Sequence, residues 1–161
     1  MTSELGSATG TDSRVDQVDV RGPRFAAWLT TAVLVITLVV SSVSLGAAAV
    51  ILGLQAVVFA IGAFRGPRKH PYGRIFATFV APRLGPVTEK EPVPPLKFAQ
   101  LVGLIFAVVG TLAFATGFGT VGLIATGFAL FAAFLNAAFA ICLGCQLYPL
   151  VARLRRSPSS A

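Results

Sequence analysis

The chain has 161 residues, of which 55% are hydrophobic and only 12% charged, and its net charge is +7. Soluble domains carry about 25% charged residues, so this composition, with a mean hydropathy of +0.82, excludes an ordinary soluble domain and points to the membrane class. The basic excess does not signal nucleic acid. That partner needs basic residues interleaved with polar and aromatic ones on a solvated face, and here they sit at the edges of long apolar blocks.

Residues 1–20 are rich in Ser, Thr, Gly and Asp and lack an apolar core near the start. They read as a disordered cytoplasmic tail rather than a cleavable signal peptide. No charged residue then occurs between Arg24 and Arg65. A helix crossing the hydrocarbon core needs about 20 apolar residues at about 1.5 Å rise each, so this block is long enough to cross twice. "SSVSLG" (residues 41–46) supplies the turn.

The stretch 65–97 is the one sizeable segment outside the spans. Within it Tyr72, Ile75, Phe76, Phe79 and Val80 fall on one helical face, and Pro71 and Pro82 suit the start and stop of a short helix. Basic residues flank the stripe on both sides. It reads as a short amphipathic helix in the bilayer interface, with arginines near anionic lipid head groups. The same stripe could also pack on the ends of the bundle. "GPVTEKEPVPP" follows as a Pro-rich polar linker. Its Glu89 and Glu91 have no rigid element behind them and make a poor acid–base pair.

A second charge-free block runs from Lys97 to Arg153, broken by "TGFGTVG" (residues 116–122). The expectation is therefore an all-α membrane protein, a four-transmembrane-helix bundle of two hairpins. Its spans are about 25–40, 47–64, 98–115 and 121–148, inside a domain covering 21–154, with a tail at 155–161. Gln55 and Asn136 lie well inside the spans, where interhelical hydrogen bonds are their expected role. Both turns are free of charge, whereas all 13 basic residues fall in the tails and the central loop. The excess of Lys and Arg in cytoplasmic segments makes that side cytoplasmic, with both termini inside the cell inner (plasma) membrane.

"AICLGCQLYPL" (residues 140–150) holds both cysteines, Cys142 and Cys145. A C-x-x-C at the inner end of a long fourth span suits three roles: small packing residues, a redox or sulfur-carrying dithiol, or half a metal site. Placed towards a helix C-terminus, the pair would be disfavoured as thiolates. The cytosol also opposes a permanent disulfide. Structural zinc needs four ligands. One chain offers two cysteines and His70, so a metal site would need two copies, and no metal or other cofactor is assigned.

Several stretches together resemble one bacterial membrane family: "RGPRFAAWLT", "LQAVVFAIGAF", "PYGRIF", "APRLGP", "KFAQLVGLIF" and "FLNAAFAICLGCQLY". They resemble the domain of unknown function 4395, over nearly the whole chain after about residue 18. The resemblance brings no established activity. It does imply a setting, because members are often encoded near thioredoxin-like and rhodanese-type sulfurtransferase proteins.

No glycine-rich phosphate loop or nucleophile–base pair is present, and no ionisable carboxylate or base lies in the spans. Enzymatic activity of the chain on its own is not indicated, nor is active transport. Two functions remain. One is a thiol-redox or sulfur-handling component, with Cys142 and Cys145 exchanging with a thioredoxin-like or rhodanese-type partner. The other is a non-catalytic anchor or assembly subunit that docks through the basic loop. The bilayer with its anionic lipids is a partner in either case, and homo-oligomers are compatible with both.

Overall fold

A computed structural model describes residues 16–155. Four long helices form the body: α1 (Arg21–Ser41), α2 (Leu45–Arg65), α4 (Val93–Ala115) and α5 (Gly119–Phe139). Each is long and apolar enough to cross a membrane, and the chain is a multi-pass membrane protein of all-α class. Two short helices, α3 (Pro71–Ile75) and α6 (Leu143–Arg155), and a two-stranded ribbon, β1 (Gln17–Asp19) with β2 (Lys90–Pro92), complete it.

The long helices run up, down, up, down. Helices α1 and α4 each pack between α2 and α5, with α2 against α4 the most extensive contact. Leu34, Leu52, Ala107, Phe114 and Ala129 fill the centre, while Val39, Leu54, Leu112 and Phe128 point outward and are exposed. That arrangement suits a bilayer. Lipid solvates the outer apolar side chains, so helix association rests on close packing and on polar groups inside. Thr31, Thr37 and Thr126 are buried, and each donates its hydroxyl to the carbonyl four residues earlier in its own helix. The bundle therefore hides polar atoms without leaving them unpartnered.

Both expected turns are present, at residues 42–44 and 116–118. Ser44 caps α2 by accepting the Ala47 N–H at 3.2 Å. At the opposite end of the bundle three expectations change.

The tail expected to be disordered through residue 20 is ordered in its last part, while residues 1–15 lie outside the described residues. Strand β1 pairs antiparallel with β2, Val18 facing Glu91, so the polar linker is partly a strand. The ribbon is held by ion pairs, Arg68 with Asp16 at 2.7 Å and Arg21 with Asp19 at 3.0 Å. Arg21 also reaches the carbonyls of Gly85 and Pro86. Helix α4 starts early, at Val93, because Pro94 and Pro95 occupy its first turn, where a missing N–H costs nothing.

The short helix in the central segment forms, but its apolar stripe divides. After α3 the chain makes one wide π-type turn over Phe76–Val80 and a tight turn over Ala81–Arg83. Phe76 is buried against Phe25, with ring centroids 5.8 Å apart, while Ile75 and Phe79 are exposed. One side of the stripe packs on the bundle, and the other faces outward.

The largest correction concerns the fourth span. It ends at Phe139 and does not continue to Tyr148. Ala140 takes a left-handed conformation (φ 56°, ψ 24°), and its N–H together with that of Ile141 bonds back to the Leu135 carbonyl. The chain then turns into α6, a separate helix packed against α4. The driving contact is Gly144, where a Cβ would lie 2.5 Å from the Ala99 Cα. Leu147, Leu150 and Leu154 form an exposed face along α6, beside exposed Arg153. Residues 156–161 lie outside the described residues.

Candidate functional site

The break at Ala140 decides the setting of the cysteines. Cys142 precedes the first residue of α6, and its carbonyl accepts the first bond of that helix, from Gln146 N–H at 3.0 Å. Its Sγ accepts the Cys145 N–H at 3.3 Å. Cys142 is therefore the N-cap of α6, with a sulfur in the place where a capping oxygen usually sits. The expected position near a helix C-terminus is corrected. The unpaired N–H groups and positive end of α6 favour a thiolate at Cys142, where the opposite end would have opposed it.

Cys142 and Cys145 are joined as a disulfide, with Cα atoms 5.1 Å apart, inside the range the bond requires. Both residues are half-buried. Gly144 between them is buried against Ala99, which pins this short stretch to α4. Among the described residues no three His, Cys, Asp or Glu side chains come together as a metal site.

Cys142 lines a cavity of about 380 Å³ between α1, α2, α4, α5 and α6. Cys145 is not part of its wall. Phe59, Phe106, Phe128 and Phe131 form much of the lining, and the polar members are Thr30, Gln100 and Asn136. Of the two amides expected to bridge helices, Gln55 does so. Its Oε1 accepts the Tyr72 hydroxyl at 2.7 Å, and its Nε2 lies 3.5 Å from the Thr30 hydroxyl. Asn136 faces the cavity instead.

A second cavity of about 410 Å³ lies beneath the ribbon, lined by Asp19, Arg68, His70 and Phe76 among others. The two cavities share Pro23, Leu96 and Gln100. His70, read from sequence as a loop residue, is buried at 2% exposure. It stacks edge-on against Tyr72 and sits over Gly62, where a Cβ would meet its Cδ2 at 2.6 Å. Burial pushes its imidazole down to about 4 against a smaller opposing pull from Gln100, so the ring is neutral at pH 7. His70 Nε2 and Gln100 Oε1 are both buried, and neither makes a hydrogen bond of good geometry, so the pull between the two side chains is weak. No spacing signal pointed to either, because a loop histidine and an interfacial glutamine look alike whether solvated or enclosed.

Neither linker glutamate lines the cavity beside Cys142. Glu91 lies in β2, where burial raises its carboxyl and Arg24 partly opposes that shift. Arg24 also donates to the Ala137 carbonyl at 3.4 Å, near the C-terminal end of α5, where a cation is favoured.

A protein-family model described as "Domain of unknown function (DUF4395)" matches residues 18–153. No curated protein and no solved structure matches the chain.

Proposed function

The chain belongs to the DUF4395 family of unknown function, and from the site's geometry we propose that it is a membrane thiol–disulfide exchange component acting through Cys142 and Cys145. The observation that carries this reading is the pairing of the two cysteines as a disulfide at the N-terminus of α6, with Cys142 Sγ held by the Cys145 N–H. This places the sulfur that can best leave as a thiolate on the cavity side.

The exchange balances as follows. A thiolate of the partner attacks Cys145 Sγ, the bond between the two cysteines breaks, and Cys142 leaves as the thiolate stabilised by α6. The partner's second thiol then attacks the mixed disulfide and releases Cys145. Two electrons pass to the pair, and the partner becomes oxidised. A soluble thioredoxin-like protein, which carries the two thiols this exchange needs, fits the half-buried position of Cys145 at the basic end of the bundle. A rhodanese-type partner would instead meet the reduced pair. Cys145 thiolate then takes the outer sulfur of its persulfide as the partner leaves as a thiolate, and Cys142 displaces sulfide as the disulfide re-forms. The Lys and Arg excess of that end supports reading it as the cytoplasmic side of a plasma-membrane protein. Exposed Ile75 and Phe79 beside Arg74 and Arg83 suit contact with anionic lipid.

Trapping tests the reading. Cells carrying Cys142→Ser, quenched in acid, are expected to yield a covalent complex through Cys145 with a protein bearing a C-x-x-C or a rhodanese-type cysteine. Cys145→Ser should trap less of it, and the double variant none. If neither single variant traps such a protein and both thiols stay reduced under oxidant challenge, the exchange reading fails. The chain is then an anchor or assembly subunit that docks through its basic loop.

A further inference from the structure

We propose that the cavity beside Cys142 binds a quinone-class, two-electron acceptor dissolved in the bilayer, which reoxidises the reduced Cys142–Cys145 pair. This rests on the exchange reading above and names the second substrate of the same site.

The two sulfurs face different surroundings. Cys145 lies outside the cavity wall, whereas Cys142 lines it. A dithiol reduced by a soluble partner must lose two electrons before it can act again, and the space next to its thiolate-favouring sulfur is apolar and within the bundle. Phe128 and Phe131 belong to the lining and are also exposed on the outer face of α5, so the cavity is reached sideways from lipid. Its occupant therefore partitions into the membrane. Phe106 and Phe128 lie nearly parallel, with centroids 5.9 Å apart at 28°, which offers flat faces to a planar ring. The volume of about 380 Å³ is in the range of small-molecule sites, roughly 300–1,000 Å³.

A lipid tail would satisfy the apolar walls, but it leaves the polar groups unexplained. Gln100 lines both this cavity and the one beside His70, and its buried Oε1 makes no well-formed hydrogen bond, only a weak pull on the His70 imidazole, an arrangement that costs stability unless a better partner is supplied. Asn136 and Thr30 line the same space. A quinone offers carbonyl acceptors, and its reduced form offers two hydroxyl donors. Side-chain amides both donate and accept, so they can hold either state.

The chemistry is complete without a further reactant. Cys142 thiolate adds to a ring carbon, and Cys145 sulfur attacks Cys142 Sγ. The carbon–sulfur bond breaks as the disulfide forms, and the ring leaves as quinol. The two electrons and the two thiol protons all end on the quinol, so one quinone is consumed per pair.

The test uses the full chain in quinone-free nanodiscs, reduced and then freed of reductant. The probe is a short-chain ubiquinone analogue with a fully substituted ring. The expected result is loss of both maleimide-reactive thiols with one quinol formed per pair. Ala132→Phe, which fills the cavity from α5, and Gln100→Leu should each slow this at least tenfold, while oxidation by the soluble oxidant diamide stays at the parent rate. If diamide closes the pair but the quinone does not, or if both variants keep the parent quinone rate, the quinone site is overturned and the exchange reading stands. If neither oxidant closes the pair, both fall. A cavity found holding only phospholipid in the presence of excess quinone also overturns the site.

Discussion

Gly144 rests on Ala99 so closely that a Cβ at position 144 would lie 2.5 Å from the Ala99 Cα and 2.6 Å from its Cβ. The neighbour is helix backbone and cannot yield as a flexible side chain would. Gly144→Ala therefore forces α6 away from α4, and the expected cost is about 1–3 kcal/mol, typical of overpacking. Because the cysteines flank this residue, α6 should lift together with the pair. The measurements are thermal unfolding in detergent and the labelling rate of reduced Cys142 by a bulky maleimide, which should rise. A parent-like rate would mean that Gly144 does not position the pair.

A second contact ties the central segment to the bundle, the Tyr72 hydroxyl donating to Gln55 Oε1 at 2.7 Å. Gln55 is 1% exposed, so Tyr72→Phe leaves a buried acceptor without its donor. In water such a loss costs about 1–3 kcal/mol, but hydrogen bonds between membrane helices average only about 0.6 kcal/mol. The expected destabilisation is about 1 kcal/mol, read from unfolding in mixed micelles. It should largely disappear in a Gln55→Leu background, where no acceptor remains, and an undiminished cost there would disconnect the two residues.

The four spans were legible because two charge-free blocks can be explained in no cheaper way than by hydrocarbon, and that argument needs only local residues. The end of α5 was not legible for the opposite reason. "AAFAIC" (residues 137–142) contains no glycine, proline or asparagine that would stop a helix, and Ala140 is among the best helix formers. A distant contact, Gly144 on Ala99, decides the matter. With the helix end misplaced, the field at the cysteines took the wrong sign. Similarly, "QVD" and "KEP" have no strand pattern of their own. They pair across about seventy residues, with Arg21 tying Asp19 to the Gly85 and Pro86 carbonyls upstream of β2 and Arg68 tying down Asp16 beside β1. The enclosure of His70 depends on Gly62 and Gln100, which belong to different helices.

His70 gives the fold a pH dependence. Its imidazole titrates near 4 when folded and near 6.5 when free. Above pH 6.5 both states are neutral and His70 contributes no pH dependence. As pH falls from 6.5 towards 4 the unfolded chain takes up a proton that the folded chain refuses, so stability declines across that window. At about 1.4 kcal/mol per unit, the loss approaches about 3 kcal/mol by pH 4. The surrounding groups are Tyr72, Gln100, and Arg68 and Asp19 in the shared cavity. Unfolding midpoints measured between pH 4 and 7 should fall steeply in the parent and more gently in His70→Gln, and equal slopes would show that another group carries the effect.

Ala140 is the only non-glycine residue with a positive φ among the described residues. A left-handed conformation costs an L-residue about 1–2 kcal/mol, which glycine avoids at an entropic cost of about 0.5–1 kcal/mol. Ala140→Gly should therefore stabilise the chain by about 0.5–1 kcal/mol and leave the alkylation rate of reduced Cys142 unchanged, since α6 keeps its start. Ala140→Val acts in the opposite sense, because a β-branched side chain tolerates this conformation poorly. The valine variant should lose at least 1 kcal/mol and favour a straighter α5 that runs through the cysteines. In that arrangement Cys142 no longer caps a helix, and its alkylation at neutral pH should slow. If valine at 140 raised stability, or left the alkylation of Cys142 untouched while lowering stability, the break at Ala140 would not be what sets the chemistry of the pair.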